Sequence, residues 1–402
     1  MNLGLLGFDD AVAATVRSAL RAGDAVTLAA DVPSDVAATL GIAVVSREDL
    51  VDSRACDAVV VAAEGWDDAR SATVRMLAQA SRPLLLAHPS GATMLEAYEL
   101  DMIRADSGAV LVPFLPDRLH PAIERLRAIV ARSPDRVESI LLERRLVDRS
   151  RRAVERAFCR DVDLARVLVG PPARLSTLGS ADPDTAWQTL AVGLTAPGMP
   201  PVRWQVVRGD APALTITVAA ADGTAGVTIP DDEPRGDAAV ISTWHDRAGT
   251  REESFDRAAT MLGVLRDAIA GDGGHAPVPA ATWDDAARTL ELVEAIPRSL
   301  ARGRAVDLHQ EEFTELGTFK GTMASLGCGI VLVALVVVVL ATLLGGIARQ
   351  TGWELGERIA GTWPIAVLAC MTVFLLLQFL PALVAPQAGR GNKGERENPG
   401  KP

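Results

Sequence analysis

Two long uncharged apolar runs near the C-terminus constrain this chain more than any other feature. No charged residue lies between Lys320 and Arg349, and none lies between Arg358 and Arg390. A helix needs about 20 apolar residues to cross a bilayer core of about 30 Å, and both runs are long enough. The runs also lack the polar face that an amphipathic helix of a soluble core carries. We therefore predict a transmembrane helical hairpin over residues 322–386 rather than two helices buried in a large core.

The residues that flank the two runs predict how the hairpin is oriented. The N-terminal stretch MNLGLLGFDD lacks the basic residues and the apolar length of a signal peptide. The segment 387–402 carries four basic residues against two acidic ones, and the positive-inside bias places it in the cytoplasm. We therefore predict an integral membrane protein with two spans, a cytoplasmic soluble domain and C-terminus, and a disordered basic tail at 387–402. Neither run contains a charged residue or a histidine, which favours an anchor in the bilayer over a channel or transporter.

Composition limits what the remaining residues do. The 402 residues, less about 65 for the hairpin, allow two domains of ordinary size. A formal net charge of -11 argues against a nucleic-acid partner, because binding to phosphates requires a basic face. The arginine-rich stretch 143–160 is interleaved with acidic residues, so we interpret it as a solvated helix face rather than a polyanion site. The four cysteines and five histidines lack the spacing of a disulfide framework or a zinc site, and we expect no metal.

The first third of the chain alternates short apolar stretches with amphipathic ones. Near-continuous apolar strands separated by helices of about 10–15 residues are typical of a parallel sheet covered on both faces. We therefore predict a Rossmann-like, doubly wound α/β domain at 1–131, a fold that binds nucleotides beyond the carboxyl ends of its strands. The predicted strands are 2–7, 25–30, 57–63, 82–87 and 110–114, and the predicted helices are 11–21, 67–81, 93–105 and 120–131.

The turn after the first strand departs from the dinucleotide-binding fingerprint. A G-x-G-x-x-G motif starting at Gly7 would need glycine where this chain has Asp9 and Val12. The second glycine of that motif lets the backbone approach the pyrophosphate, and Asp9 puts a negative charge there instead. Asp9 or Asp10 is better interpreted as the N-cap of the following helix. Asp31 ends the second strand, where an acidic residue would bind a ribose hydroxyl, although acids commonly end strands.

The pattern changes from about residue 132. Consecutive strand-like stretches followed by two amphipathic helices favour an α+β domain with a mixed or antiparallel sheet at 132–308. A polar linker at 309–321 then leads to the hairpin. The predicted elements of this part are a long helix at 136–157, strands at 203–208, 213–220 and 223–229, and helices at 255–270 and 283–301.

Several local stretches together resemble the Gfo/Idh/MocA oxidoreductases, and the resemblance runs from Leu3 to about Leu308. It implies a Rossmann domain for NAD or NADP, an α+β substrate domain with a closing strand, and hydride-transfer chemistry. The hairpin at 322–386 is not part of the usual family pattern. The stretches that carry the resemblance are LGLLG (3–7), CDAVVVA (56–62), PLLLAHP (83–89), DRLHPAI (117–123), RDVDLARVLVG (160–170), and the segments 255–273 and 282–308.

The resemblance implies a set of site residues, and several of them are substituted. The family's lysine in its Glu-Lys-Pro motif corresponds to His88, and its Asp-x-x-x-His pair for proton transfer corresponds to Arg156 and Arg160. A general base must be deprotonated near the working pH, which excludes arginine because its pKa lies above about 12. The candidate catalytic positions are His88, Arg156, Arg160 and Asp163. The candidate positions for NAD or NADP are Gly7, Phe8, Asp9, Asp10, Asp31, Ala63, Glu64, His88 and Pro89.

Three functions remain open from the sequence. The first is a membrane-anchored, catalytically degenerate protein of this fold that binds a protein partner or a small anionic ligand, the latter through Arg156 and Arg160. The second is an active NAD(P)-dependent oxidoreductase of a sugar or polyol-like substrate, with an atypical cofactor loop and acid–base chemistry at His88. The third is a scaffold that recruits a partner to the membrane, which a large exposed apolar patch would favour. Because proteins of this family often pair, we also expect a homo-oligomer.

Overall fold

The computed structural model describes most of the chain up to residue 308. Beyond it, only Leu340, Leu343 and Gln350 are described, so the rest of the predicted linker, hairpin and tail lies outside the described residues. Among the described residues, no helix is both long enough and apolar enough to span a bilayer. The gaps before residue 308 are 53–54, 90, 133, 183–184, 232–238 and 272–278.

Short buried strands at the start of the chain form a six-stranded, entirely parallel sheet. Its strand order, β3-β2-β1-β4-β5-β6, is that of a Rossmann-like doubly wound sheet, which confirms the predicted fold class of this part. The strands are β1 (Asn2–Leu6), β2 (Ala25–Ala30), β3 (Ala43–Val44), β4 (Ala58–Val61), β5 (Leu84–Ala87) and β6 (Leu111–Phe114). The helices between and after them are α1 (Asp10–Arg21), α2 (Ser34–Leu40), α3 (Arg47–Asp52), α4 (Asp68–Gln79), α5 (Met94–Ser107) and α6 (Pro121–Arg132).

A second, nine-stranded sheet follows, and it is mixed as the sequence predicts. Its strand order is β14-β13-β12-β11-β7-β10-β9-β8-β15, and only the central pair β7 and β10 is parallel among the described pairings. The strands are β7 (Val137–Leu146), β8 (Arg174–Leu178), β9 (Ala191–Thr195), β10 (Val202–Arg208), β11 (Ala213–Ala220), β12 (Gly223–Pro230), β13 (Val240–Asp246), β14 (Gly249–Phe255) and β15 (Val306–Asp307). The helices of this part are α7 (Arg151–Val169), α8 (Arg257–Ala270) and α9 (Trp283–Arg302).

The predicted long helix at 136–157 is wrong, because the chain forms strand β7 there and begins helix α7 only at Arg151. Burial along β7 alternates with a period of two, since Ile140, Leu142 and Arg144 are buried while the residues between them are partly exposed. Arginine at an inward-facing position hides this alternation from a reading by hydropathy. The interpretation of 143–160 as a solvated helix face is wrong for the same reason, because Arg144 is only 2% exposed.

The two terminal helices return to the first sheet before the chain closes the second one. Helix α8 packs against α1 and places Leu265 in the core on one face of the first sheet. Helix α9 begins at Trp283, which joins the core on the opposite face, and its later residue Ile296 joins the core of the second sheet. Met1–His309 therefore packs as one compact unit. The boundary predicted between residues 131 and 132 stays a prediction.

Trp283 should show how much α9 contributes to holding the first sheet. Its indole is 5% exposed, and its Nε1 donates to the carbonyl oxygen of Ala97 on α5 at 2.8 Å. We expect Trp283→Phe to lower the free energy of unfolding by about 0.5–1.5 kcal/mol, because it removes the hydrogen bond that joins α9 to α5. Urea unfolding measures the change. The matched control is Trp187→Phe, since the buried Nε1 of Trp187 has no hydrogen-bond partner among the described residues; an equal loss in both variants would contradict the prediction.

Candidate functional site

The strand order of the first sheet reverses between β1 and β4, and the carboxyl ends of these two strands meet there. Open α/β sheets bind ligands in this crevice. A cavity of about 1170 Å³ extends from the turn after β1, past the loops after β4 and β5, to helix α7. Most of the site residues predicted from the sequence line this cavity. Those that line it are Asp9, Asp10, Ala63, Glu64, His88, Pro89, Arg156, Arg160 and Asp163.

The remaining predicted residues, Gly7, Phe8 and Asp31, are not among the residues that line the cavity. Phe8 is partly buried and packs against the core of the first sheet. Gly7 adopts a left-handed conformation with a φ of 81°, and Asp31 does so with a φ of 56°. Both lie beside the guanidinium of Arg70 rather than beside open space.

Of the two N-cap candidates, Asp9 and Asp10, it is Asp9 that caps α1, and it does more than cap the helix. Its Oδ1 accepts a hydrogen bond from the backbone N–H of Val12 at 2.9 Å. Its Oδ2 accepts from the N–H groups of Ala63 and Glu64 at 2.8 and 3.3 Å. The carboxylate therefore joins the start of α1 to the loop after β4, across the crevice.

Arg70, which sequence reasoning missed, fills the space between Gly7 and Asp31. It lies on α4, is 5% exposed, and donates from Nη1 to the carbonyl oxygen of Glu64. Its Nη2 lies 3.6 Å from Asp31 Oδ2. Asp31 is also held by Arg47, whose Nε lies 3.1 and 2.8 Å from its two carboxylate oxygens. The acid that the sequence assigns to a ribose is thus already engaged by two arginines.

A dinucleotide does not fit these residues as they stand. The amides that would bind its pyrophosphate are used by the carboxylate of Asp9, which also opposes a phosphate electrostatically. A Cβ atom added to Gly7 would lie 2.8 Å from Arg70 Cζ, so the guanidinium already covers that glycine. We therefore derive no reaction step through NAD or NADP.

His88 lies on the cavity wall but is turned into a polar cluster in the interior. Its Nε2 lies 2.7 Å from Thr289 Oγ1 and 3.3 Å from Cys159 Sγ. Burial, assisted by the charge of Arg160, lowers the pKa of His88 to about 3. Burial also raises the pKa of the Cys159 thiol to about 12. Near neutral pH both side chains are therefore uncharged, and neither has the pKa of an effective general base or nucleophile.

Arg156 and Arg160 lie one turn apart on α7 and both line the cavity. Arg160 Nη2 is 3.2 Å from Asp231 Oδ2, and Asp231 is also 3.1 Å from Arg144 Nη1. Burial alone would raise the pKa of Asp231, but the charges of Arg160 and Arg144 hold it well below the usual range. Arg156 is exposed and has no ion pair within 4 Å among the described residues.

Asp163 is a further titratable group of the cavity wall with a displaced pKa. It is fully buried, and neither carboxylate oxygen receives a well-aligned hydrogen bond from the described residues. Arg118 Nη2 lies 3.1 Å away and Arg166 Nη1 lies 3.7 Å away. Burial raises the pKa of Asp163 to about 6, although both arginines act to lower it. A carboxyl group in this range exchanges a proton near neutral pH.

Sequence reasoning missed several charged residues of the cavity wall. Arg118 is paired with Asp285 at 2.7 Å, and Arg257 with Asp117 at 2.7 Å. No spacing rule joins residues that far apart in the chain, so the sequence offered no signal for these pairs. No group of three or more His, Cys, Asp or Glu side chains in the described part of the chain is arranged to hold a metal ion.

Comparisons with known proteins identify the fold. No protein-family model matches the chain, and no curated protein does. Among solved structures, a myo-inositol dehydrogenase from Corynebacterium glutamicum is 16% identical with a TM-score of 0.57, covering 77% of this chain and 99% of its own. GenD2 from gentamicin A biosynthesis, solved with NAD, is 17% identical with a TM-score of 0.62, covering 77% of this chain and 96% of its own.

A third similar structure is an oxidoreductase from Agrobacterium radiobacter solved with NAD+, L-tartaric acid and magnesium. It is 14% identical, with a TM-score of 0.58, and covers 76% of this chain and 98% of its own. These neighbours are oxidoreductases of the Gfo/Idh/MocA type. The chain therefore has their fold, as its sequence predicts, and identity this low shows the fold alone.

Proposed function

We propose that this protein is a non-catalytic relative of the Gfo/Idh/MocA oxidoreductases that binds a small anionic ligand in the cavity beside α7. The observation that carries the proposal is the pair Arg156 and Arg160 on the cavity wall, at the positions where the family resemblance expects the proton-transfer pair. Two guanidinium groups do not take up a proton near neutral pH, but they bind carboxylate or phosphate groups well.

The two arginines differ in a way that suits a ligand site. Arg160 is positioned by Asp231, which is itself held by the buried Arg144, so its guanidinium is oriented before a ligand arrives. Arg156 is exposed and has no ion pair within 4 Å in the described residues, so it can bind an anion without first breaking one. The exposed carboxylates of Asp10 and Glu64 face the same cavity and would accept hydrogen bonds from hydroxyl groups. These residues together favour an anion that also carries hydroxyl groups, as a sugar acid does.

The proposal is tested by binding of gluconate and of inorganic phosphate to the full-length protein, measured by calorimetry. We expect saturable binding, and we expect Arg156→Gln and Arg160→Gln each to weaken it at least about tenfold, because a hydrogen bond to a charged group contributes about 1.5–3 kcal/mol. Arg152→Gln is the matched control, since Arg152 is exposed on the same helix but does not line the cavity. Equal binding by all four proteins would contradict the proposal.

An active NAD(P)-dependent oxidoreductase of a sugar or polyol-like substrate is the second candidate. One observation favours it: Asp163 lines the cavity and has a pKa of about 6, which suits an acid–base group. A nicotinamide-linked turnover assay separates the two functions. Turnover that Arg160→Ala or Asp163→Asn abolishes would overturn the non-catalytic proposal, whereas no turnover in the wild-type protein supports it.

We further propose a membrane tether and self-association. The tether rests on the uncharged runs within 322–386, and it is tested by asking whether the full-length protein stays with membranes after alkaline extraction while a chain truncated at residue 309 does not. A cytoplasmic location of the C-terminus is tested with a reporter fused after residue 402.

Self-association rests on the family resemblance and is tested by light scattering of the detergent-solubilised protein. A protein partner for the soluble part, as a scaffold would have, stays an alternative.

A further inference from the structure

We infer that the protein fills its own dinucleotide crevice, with the carboxylate of Asp9 standing in for the pyrophosphate and the guanidinium of Arg70 lying where the adenosine ribose would lie. The inference goes beyond the proposed anion site, which lies on α7 and does not depend on it. It explains how a Rossmann sheet with the usual strand order can do without a nicotinamide cofactor.

The backbone amides around Asp9 already bind an anion. A phosphate at a Rossmann crevice is bound by N–H groups at the start of the first helix and is favoured by the helix dipole. Here the N–H of Val12 and those of Ala63 and Glu64 converge on one carboxylate, at 2.9, 2.8 and 3.3 Å. These N–H groups come from the two sides of the crevice. The anion that joins them is the Asp9 carboxylate, which belongs to the chain itself. A nucleotide phosphate would have to displace it.

A side chain also fills the space between the glycine turn and the end of β2. In a dinucleotide site the first glycine forms the tight turn and the acid after β2 binds the ribose. Arg70 lies between Gly7 and Asp31, with its Cζ 2.8 Å from where a Cβ on Gly7 would stand, and donates to the carbonyl oxygen of Glu64. Arg47 holds the other side of Asp31. Side chains therefore occupy the phosphate position and the ribose position together.

The charges around the crevice also oppose a dinucleotide. Asp9 and Asp31 are acidic, and a dinucleotide adds two more negative charges at its pyrophosphate. Arg70 compensates Asp31, at 3.6 Å, and its guanidinium is buried. Arg70 is the buried member of this network, and moving it aside for a ligand would leave its charge without Asp31 and without the carbonyl oxygen of Glu64.

The test removes the stand-in carboxylate and asks whether a nucleotide can take its place. Asp9→Ser keeps an N-cap oxygen but removes the charge and shortens the side chain. In the full-length protein we expect no saturable NADH binding by the wild type up to about 1 mM. We expect Asp9→Ser to be stabilised against heat by inorganic pyrophosphate, and the double variant Asp9→Ser with Arg70→Ala to bind NADH at least about tenfold more tightly than the wild type. Nicotinamide fluorescence follows the NADH titration.

Asp256→Ser is the matched control, because Asp256 caps α8 by accepting from the N–H of Ala259 at 2.9 Å and lies outside the cavity. It should gain neither pyrophosphate stabilisation nor NADH binding. Micromolar NADH binding by the wild type would overturn the inference. So would a cooperatively melting Asp9→Ser variant that pyrophosphate does not stabilise. Gluconate binding that persists in Asp9→Ser and vanishes in Arg160→Gln would show that the anion site on α7 is independent of the Asp9 crevice, so that the two proposals are tested separately.

Discussion

Replacing Asp161 with leucine is expected to lower the free energy of unfolding by about 3–5 kcal/mol, because it removes one partner of a buried ion pair. Arg144 is 2% exposed and Asp161 is 1% exposed. The guanidinium of Arg144 donates to both oxygens of Asp161, and Trp204 Nε1 donates to the same carboxylate at 2.8 Å. Loss of the carboxylate leaves the buried cation with Asp231 as its remaining partner in the described residues, at 3.1 Å. Urea unfolding of the full-length protein measures the loss.

A double-mutant cycle separates the ion pair from the packing around it. Arg144→Met combined with Asp161→Leu should lose less stability than the sum of the two single changes, because removing both charges leaves neither unpaired. The control cycle uses Arg104→Met and Asp101→Leu, a partly exposed pair at 2.8 Å that should couple by less than about 0.5 kcal/mol. Additive losses of stability at Arg144 and Asp161 would mean that the two side chains contribute only through packing and not through their ion pair.

The same pair connects the second sheet to the candidate ligand site. Arg144 projects from the central strand β7 and binds Asp161 on α7 together with Asp231 after β12. Asp231 in turn binds Arg160 on the cavity wall. Arg144→Met should therefore weaken gluconate binding as well as lower stability, although Arg144 does not line the cavity. In this role Arg144 is a positioning residue for Arg160.

The sequence predicts a strand correctly when its buried positions are apolar, and it fails when one of them carries a charge. Strands β4 and β5 are buried at every position, so continuous apolar runs predict them correctly. Strand β7 carries a buried arginine among alternating apolar residues, and its partner Asp161 lies 17 residues later in the chain. A hydropathy pattern treats every charged residue as exposed, so it misses a buried charge whose partner lies on another element. The pattern therefore predicted a helix where the chain forms β7.

The candidate site shows the same limit. The N-cap role of Asp9 follows from a rule about the residues next to it, and the sequence predicts it. The second contact of Asp9, to the amides of Ala63 and Glu64, depends on how β1 and β4 pair. Arg70 in the crevice depends likewise on the position of α4. Motif reading therefore predicts that the fingerprint is altered, but only the structure shows what fills the space.

His88 and Asp163 should make opposite contributions to the pH dependence of stability. The pKa of His88 is lowered to about 3 by burial and by Arg160, so the unfolded chain binds a proton to it first as the pH falls below about 6.5. Its contribution to stability is present above pH 6.5 and falls by on the order of 3 kcal/mol by pH 4. The pKa of Asp163 is raised to about 6 by burial, so the folded protein binds that proton first. Its destabilising effect is present above pH 6 and fades as the pH falls toward 4.

The two side chains therefore offset each other in the wild type between pH 4 and 6.5, and single substitutions should separate them. Relative to the wild type, His88→Gln should gain stability as the pH falls through this range, while Asp163→Asn should lose it, each by on the order of 2–3 kcal/mol. Asp231 and Asp285, whose pKa values are held low by neighbouring arginines against the effect of burial, lose their stabilising effect only below about pH 4. Urea unfolding at pH 4, 5, 6 and 7 would measure both differences. If the stability difference from the wild type changed with pH in the same direction in both variants, the two assignments would be contradicted. These are that buried His88 is neutral and that Asp163 takes up its proton more readily in the folded state than in the unfolded state.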